Sequence, residues 1–185
     1  MGIESFDTTF AQEKSDQEIA WDQKLAEVNE IADRLGKGVD EKIKESVAAF
    51  LIHKFTTSGS CEGHIAEEEK DKHGLPYPWI EIYASEPEGW KESEEKQNEW
   101  TMENLKQQKK MMSFLEEFYK DRETLFDARL IFDKVGTYGG FRVQSFGAEM
   151  WPMLNPEERR QKLELYRKEM ADLTEFLKNK YFSKK

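Results

Sequence analysis

The order of periodic segments along the chain constrains its fold more than any other feature of the sequence. Helical and strand-like patterns follow one another as ααββαββα. An order of this kind predicts an α+β fold, namely a small, mostly antiparallel four-stranded sheet packed with about four helices.

Four segments have the apolar spacing of an amphipathic helix. Glycine tolerates the left-handed turn that follows a helix, so Gly36 and Gly38 are expected to end the first helix. Asp40 is the expected N-cap of the second, and Asn155 followed by Pro156 opens the last. The predicted helices are Ser15 to Leu35, Asp40 onward, about Trp90 to Arg122, and Asn155 onward.

Two of these helices have apolar stripes that predict which side is buried. In the third helix the stripe consists of Met102, Leu105, Met112, Leu115 and Tyr119. In the last helix the apolar residues alternate in steps of three and four, the spacing of a helix seam. They are Leu163, Tyr166, Met170, Leu173 and Leu177. Packing on the chain's own sheet is the expected use of this seam, and pairing with a second copy is the alternative.

Four short segments are predicted to be strands: Phe55 to Ser60, Trp79 to Ala84, Arg129 to Val135, and Phe141 to Phe146. The second shows the clearest alternation, with Trp79, Glu81 and Tyr83 on one face and Ile80, Ile82 and Ala84 on the other. The last two are joined by a loop, residues 136–140, which contains three glycines. A hairpin loop of this composition is expected to use positive φ angles.

Composition indicates one folded domain at residues 15–185, preceded by a flexible arm at residues 1–14. Charged residues make up 36% of the 185-residue chain, but its 12% aromatic content is that of a folded protein. The net charge of −10 argues against general binding to DNA or RNA, which needs a basic surface. A single cysteine, no secretory signal and no long apolar run predict a cytoplasmic protein that does not span a membrane.

The segment from Thr56 to His64 has the most unusual chemistry of the chain. It combines hydroxyl groups, two glycines, the only cysteine and one of three histidines at the end of a predicted strand. Glycines let the backbone approach a ligand, successive N–H groups can hold an anion, and hydroxyls donate hydrogen bonds. The sequence therefore predicts a loop that binds an anionic small molecule, a nucleotide or RNA. Its candidate residues are Ser58, Ser60, Cys61, Gly63 and His64, with Arg142 as a charge partner.

Three other interpretations of this segment stay open. Cys61-x-x-His64 has the spacing of metal ligands, with His73 as a third candidate, although structural zinc motifs usually have two paired ligand clusters. No metal site is therefore predicted. His64 is also placed to activate Cys61 as a nucleophile, with Glu62 orienting the imidazole. Finally, the hydroxyls can simply cap a turn around a buried thiol.

Two stretches resemble the N-terminal signature of the wybutosine-synthesising tRNA methyltransferases. They are Gly36-Lys37-Gly38-Val39-Asp40-Glu41 and, after a helix, Thr57-Ser58-Gly59-Ser60-Cys61-Glu62-Gly63-His64-Ile65. Gly140-Phe141-Arg142 is similar to a later Gly-Phe-Arg of that family. The resemblance implies S-adenosylmethionine as cofactor and a tRNA guanosine derivative as partner, although His64 stands where the family has arginine.

A second resemblance covers most of the chain. Uncharacterised small bacterial proteins share its Ser-Cys-Glu-Gly-His motif, the following Pro-Trp-Ile strand and the Lys/Glu-rich final helix, but they imply no activity. Whether the chain is an enzyme therefore stays open. The alternative function is a non-catalytic interaction or assembly protein that acts through its amphipathic helices, for instance as a homodimer.

Overall fold

The computed structural model describes residues 14–33, 35–65 and 75–183, and it confirms the α+β fold. Its helices are α1 (Asp16–Glu30), α2 (Lys44–Ile52), α3 (Glu94–Phe118) and α4 (Pro156–Phe182). Its strands are β1 (Thr57–Glu62), β2 (Pro78–Ile82), β3 (Leu130–Val135) and β4 (Gly140–Ser145). Short 3₁₀ helices cover Glu41–Ile43, Trp90–Glu92 and Phe146–Met153.

Some predictions concern residues outside these ranges. The arm at residues 1–14 is described only at Lys14, and His73 lies in the undescribed stretch between residues 65 and 75. Among the described residues, no helix has both the length and the apolar character needed to cross a membrane.

The four strands form one antiparallel sheet in the order β1-β2-β4-β3. The predicted alternation of β2 is confirmed, because Ile80 and Ile82 are fully buried while Trp79 and Glu81 are half-buried on the opposite face. In the hairpin between β3 and β4, two of the three loop glycines have positive φ, as expected. Since β1 is an edge strand, one of its sides is free to face another part of the chain.

The hydrophobic core lies between the Ile80 face of the sheet and the helices. The apolar side chains of α4 that form the predicted seam are all buried in the chain's own core. The start of α4 is also as predicted. The Asn155 side chain accepts the N–H groups of Glu157 and Glu158, and Pro156 is the first helical residue. The seam of α4 is therefore used within one copy of the chain.

The apolar stripe predicted for α3 is partly wrong. Leu115 and Tyr119 are buried, but Met102, Leu105 and Met112 are exposed. The buried side instead includes two amides. Asn104 accepts the N–H of Ala84 and donates to the carbonyl oxygen of Tyr138, and Gln107 accepts the N–H of Thr56. These amides make hydrogen bonds with backbone groups that lie beyond the ends of the strands. Polar residues therefore occupy buried positions of α3 that an apolar pattern assigns to solvent.

The first helix is shorter than predicted, ending at Glu30 instead of Leu35. The carboxylate of Asp33 accepts the N–H groups of Leu35 and Lys37, and the Asp33 N–H donates to the carbonyl oxygen of Lys37. A side chain that binds nearby N–H groups competes with helix hydrogen bonds, and here it produces a compact turn. This turn belongs to the connection between α1 and the 3₁₀ helix Glu41–Ile43, which we call the 31–40 connection.

Candidate functional site

The Ser58–His64 segment is mostly strand, and this changes how it can act. Ser58 to Glu62 lie in β1, where successive backbone groups point in alternate directions. Their N–H groups therefore do not converge on one anion, as the loop hypothesis assumed. Gly63 turns the chain at a φ of +82°, and His64 follows with its N–H donated to the carbonyl oxygen of Leu75.

The end of β1 is tied to Asp40. This residue precedes the 3₁₀ helix Glu41–Ile43, but its side chain makes no capping hydrogen bond. Instead, Asp40 Oδ2 accepts the N–H of Glu62 at 3.1 Å and lies 3.0 Å from His64 Nε2. Burial raises the pKa of Asp40, but these two hydrogen bonds and the nearby charge of Lys37 together hold the pKa below its ordinary value. The expected N-cap therefore serves as the partner of a histidine.

Cys61 is buried beside this pair. Its Sγ accepts the N–H of Gly63 at 3.3 Å and lies 3.7 Å from the carbonyl oxygen of Leu75. Burial raises the pKa of the Cys61 thiol, whereas an activated cysteine nucleophile needs a lowered one. The environment of the thiol thus gives no support to the nucleophile interpretation.

Asp40, Cys61 and His64 together bring an oxygen, a sulfur and a nitrogen atom within 4.8 Å of one another. The sequence predicted the last two as companions but missed Asp40, which lies 24 residues before His64. The only signal was the resemblance, whose signature contains both the Gly36–Glu41 and the Thr57–Ile65 stretches.

A cavity of about 580 Å³ opens between β1 and the 31–40 connection. We call it the β1 groove. Four of the six predicted site residues line it: Ser58, Ser60, Cys61 and His64. The remaining lining consists of Ile31, Ala32, Asp33, Leu35, Lys37, Gly38, Val39, Asp40, Val47, Thr57, Gly59 and Trp79. The groove is thus mixed in chemistry, with one lysine, two carboxylates, several hydroxyls and an apolar wall.

The other two predicted site residues do not line this groove. Gly63 is buried under α4, where its carbonyl oxygen accepts a hydrogen bond from Arg167 at 2.7 Å. Arg142 lies on β4 and donates to Glu81 at 2.8 Å, and Glu81 also accepts the hydroxyl of Ser58 at 2.9 Å. The structure therefore pairs the charge of Arg142 with a carboxylate instead of bringing it to His64.

Trp79 contacts both the β1 groove and the Arg142–Glu81 pair. The Arg142 guanidinium lies over its ring, 4.1 Å from the centroid, while the far edge of the ring reaches Gly59 in the groove. Its buried indole N–H has no hydrogen-bond partner among the described residues. Trp79 is therefore an aromatic wall of the groove that is held in place by a stacked cation.

A larger cavity, of about 860 Å³, lies between the segment after β2 and the start of α3. Its charged lining is almost entirely carboxylate: Glu94, Glu95, Glu99 and Glu103, with Lys106. Glu94 and Glu95 lie in the first turn of α3, where the macrodipole favours acidic side chains. A lining whose charges are nearly all carboxylate does not suit the anion that the sequence predicts, so the β1 groove is the candidate site.

Comparisons of the chain with protein-family models, with curated proteins and with solved structures found no match.

Proposed function

We propose that this protein binds a small anionic ligand with an aromatic or apolar body, of the nucleotide class, in the β1 groove. The observation that carries the proposal is the lining of the groove, which combines the Lys37 ammonium and the Ser58 and Ser60 hydroxyls with an apolar wall. A volume of about 580 Å³ suits such a ligand, and small-molecule sites are typically apolar clefts with a few polar groups.

Lys37 is the group of the lining that can contact an anion. Both carboxylates already accept hydrogen bonds within the protein, Asp33 from two backbone N–H groups and Asp40 from Glu62 and His64. Lys37 has no ion pair among the described residues, and its side chain is exposed. The charge of Lys37 lowers the pKa of Asp40, and because its side chain is exposed the ammonium can also contact a phosphate or a carboxylate.

The apolar side of the groove favours a planar ligand. Trp79 offers ring surface, and Gly59 keeps the space beside it open, since a Cβ there would lie 3.3 Å from the Trp79 ring. Stacking on an aromatic side chain contributes about 1–3 kcal/mol per nucleobase. Because the family resemblance implies S-adenosylmethionine as cofactor, this nucleoside derivative belongs among the probes.

The alternative function, assembly through the helices, has less support. The seam of α4 that would pair with a second copy is buried in the core of the same chain. Met102, Leu105 and Met112 remain exposed on α3, so a second copy could contact only part of its predicted stripe, since Leu115 and Tyr119 are buried. Homodimerisation stays a prediction, and sedimentation velocity over a range of protein concentrations tests it.

We expect AMP to raise the thermal midpoint of the wild-type protein and Lys37→Gln to weaken that effect. A ligand present at 100 times its Kd adds about 2.7 kcal/mol of stability. Loss of one charge-assisted contact costs about 1.5–3 kcal/mol, which is roughly tenfold or more in Kd. The measurement is a thermal-shift titration with AMP, S-adenosylmethionine, inorganic phosphate and a short RNA.

The matched control is Lys24→Gln on α1, which removes a lysine outside the groove and is expected to bind AMP like the wild type. A response to phosphate but not to AMP would contradict the role of the aromatic wall. A response to RNA alone would favour a nucleic-acid surface over a small-molecule groove. If no probe moves the midpoint, or if Lys37→Gln binds AMP unchanged, the proposal is wrong.

A further inference from the structure

We propose that Asp40, Cys61 and His64 form a zinc site in the wall of the β1 groove. The three residues come from different parts of the fold: the end of the 31–40 connection, β1, and the segment that follows β1. Their ligand atoms all lie within 4.8 Å of one another. The fold, and not local spacing alone, brings them together.

The distances fit a zinc ion after small side-chain movements. Zinc lies about 2.3 Å from a sulfur ligand and about 2.0–2.2 Å from nitrogen and oxygen, so ligand atoms of a tetrahedral site are about 3.3–3.6 Å apart. Asp40 Oδ2 and His64 Nε2 are 3.0 Å apart, and no separation in the trio exceeds 4.8 Å. Closing the longest separation requires a shift of about 1 Å, which side-chain torsions can supply.

The donor set and its charge also suit this ion. Zinc accepts sulfur, imidazole nitrogen and carboxylate oxygen in one site, whereas magnesium and calcium prefer oxygen ligands alone. On binding, the Cys61 thiol releases its proton to solvent, Asp40 binds as a carboxylate, and His64 binds as a neutral imidazole. Two negative ligands then balance the charge of Zn²⁺, which makes the complex compatible with the buried position of Cys61.

Backbone donors hold two of the three ligands. The Glu62 N–H donates to Asp40 Oδ2 at 3.1 Å, and the Gly63 N–H donates to Cys61 Sγ at 3.3 Å. Outer hydrogen bonds of this kind orient metal ligands and increase affinity. All three residues line the groove, so water or a small anion in it can supply the fourth ligand. Three protein ligands with one open position are typical of zinc sites that bind an exogenous group.

The test is metal binding by the full chain in the absence of any groove ligand, so its outcome is separate from that of the AMP titration. The protein is stripped with a chelator under a phosphine reductant, loaded with Zn²⁺ or Co²⁺, and desalted. We expect one metal ion per chain by elemental analysis. With Co²⁺ we expect a thiolate-to-cobalt charge-transfer absorption and the intense visible bands of a tetrahedral ion.

The variants separate a built site from adventitious binding. Cys61→Ser should abolish the thiolate absorption, and Asp40→Asn should weaken zinc binding by more than about tenfold. Glu41→Gln, which removes the exposed neighbouring carboxylate, should behave like the wild type. Circular dichroism shows whether each variant is folded. If Asp40→Asn does not fold, the near-isosteric Cys61→Ser still tests the proposal. The proposal is overturned if wild-type protein retains no metal, or if Cys61→Ser retains as much zinc.

Discussion

The Gly63→Ala protein is expected to be less stable than the wild type by about 3 kcal/mol. A residue with a Cβ is disfavoured at the φ of +82° that Gly63 adopts, by roughly 1–2 kcal/mol. The added Cβ would also lie 2.8 Å from the carbonyl carbon of Tyr77 and 3.0 Å from the nitrogen of Pro78. Since backbone atoms cannot rotate away, overpacking adds about 1–3 kcal/mol. Urea unfolding followed by circular dichroism measures the difference.

Gly36→Ala is the matched control for this prediction. Gly36 has a similar φ of +74°, but a Cβ there would meet no atom within 4 Å. Its substitution therefore isolates the cost of the backbone conformation, about 1–2 kcal/mol. Equal losses in the two variants would show that the contacts with Tyr77 and Pro78 do not restrict Gly63. The larger loss that we expect would give this predicted site residue a structural role, since it positions His64 and accepts Arg167.

Arg122→Met is the second substitution with a large expected effect, also about 3 kcal/mol of lost stability. Arg122 donates to Glu169 at 2.8 Å, and the Glu169 side chain is only 5% exposed. Glu169 also accepts the hydroxyl of Tyr119, which itself accepts the N–H of Leu130 at the start of β3. Removal of one partner from a buried ion pair costs about 3–5 kcal/mol, and partial exposure of Arg122 places its effect at the lower end.

Lys168→Met provides the comparison for Arg122→Met. Lys168 lies on the same helix as Glu169 and pairs with Asp172, which also binds Arg122, but its side chain is 69% exposed. A solvent-exposed pair is worth about 0–1 kcal/mol, so this variant should unfold at nearly the wild-type urea concentration. If both variants lose the same small amount, burial of the Glu169 carboxylate does not depend on Arg122, and the prediction from the buried ion pair is wrong.

The sheet and the last helix were predictable because local rules and tertiary packing agree there. The alternation around Ile80 and Ile82 reports burial directly, since a strand turns successive side chains to opposite faces. The start of α4 at Asn155-Pro156 and its apolar seam could also be predicted, because both follow from helix geometry alone. These segments also supply much of the buried core.

The errors in the helices have a different origin. The end of α1 and the buried side of α3 depend on polar side chains that bind backbone groups. Asp33 accepts two N–H groups and so favours a turn after α1, and Asn104 is fully buried because it satisfies the ends of other elements. Hydrophobic periodicity contains no information about such partners, so it assigns these positions wrongly.

The site was predictable in part. The concentration of unusual residue types in Ser58–His64 identified the segment, and four of its residues line the β1 groove. Lys37 and Asp40 also line the groove, but they precede Ser58 by 21 and 18 residues and reach β1 only because α2 returns the chain. Arg142 was assigned to the site by its charge, and Glu81, its partner across the sheet, neutralises it. Which residues from distant parts of the chain meet at the site depends on the register of the strands, and hydrophobic periodicity does not determine that register.

An NMR titration of the ¹⁵N-labelled protein with AMP tests the central claim, ligand binding in the β1 groove, most directly. The Trp79 indole N–H reports on the groove, while those of Trp90 and Trp100 lie at the other end of the sheet, where the two rings contact each other. We expect the Trp79 indole signal and the amides of Gly38, Gly59 and Ser60 to shift, with the indole signals of Trp90 and Trp100 unchanged. Shifts confined to Trp90 and Trp100, or the absence of any shift at the groove, would contradict the account.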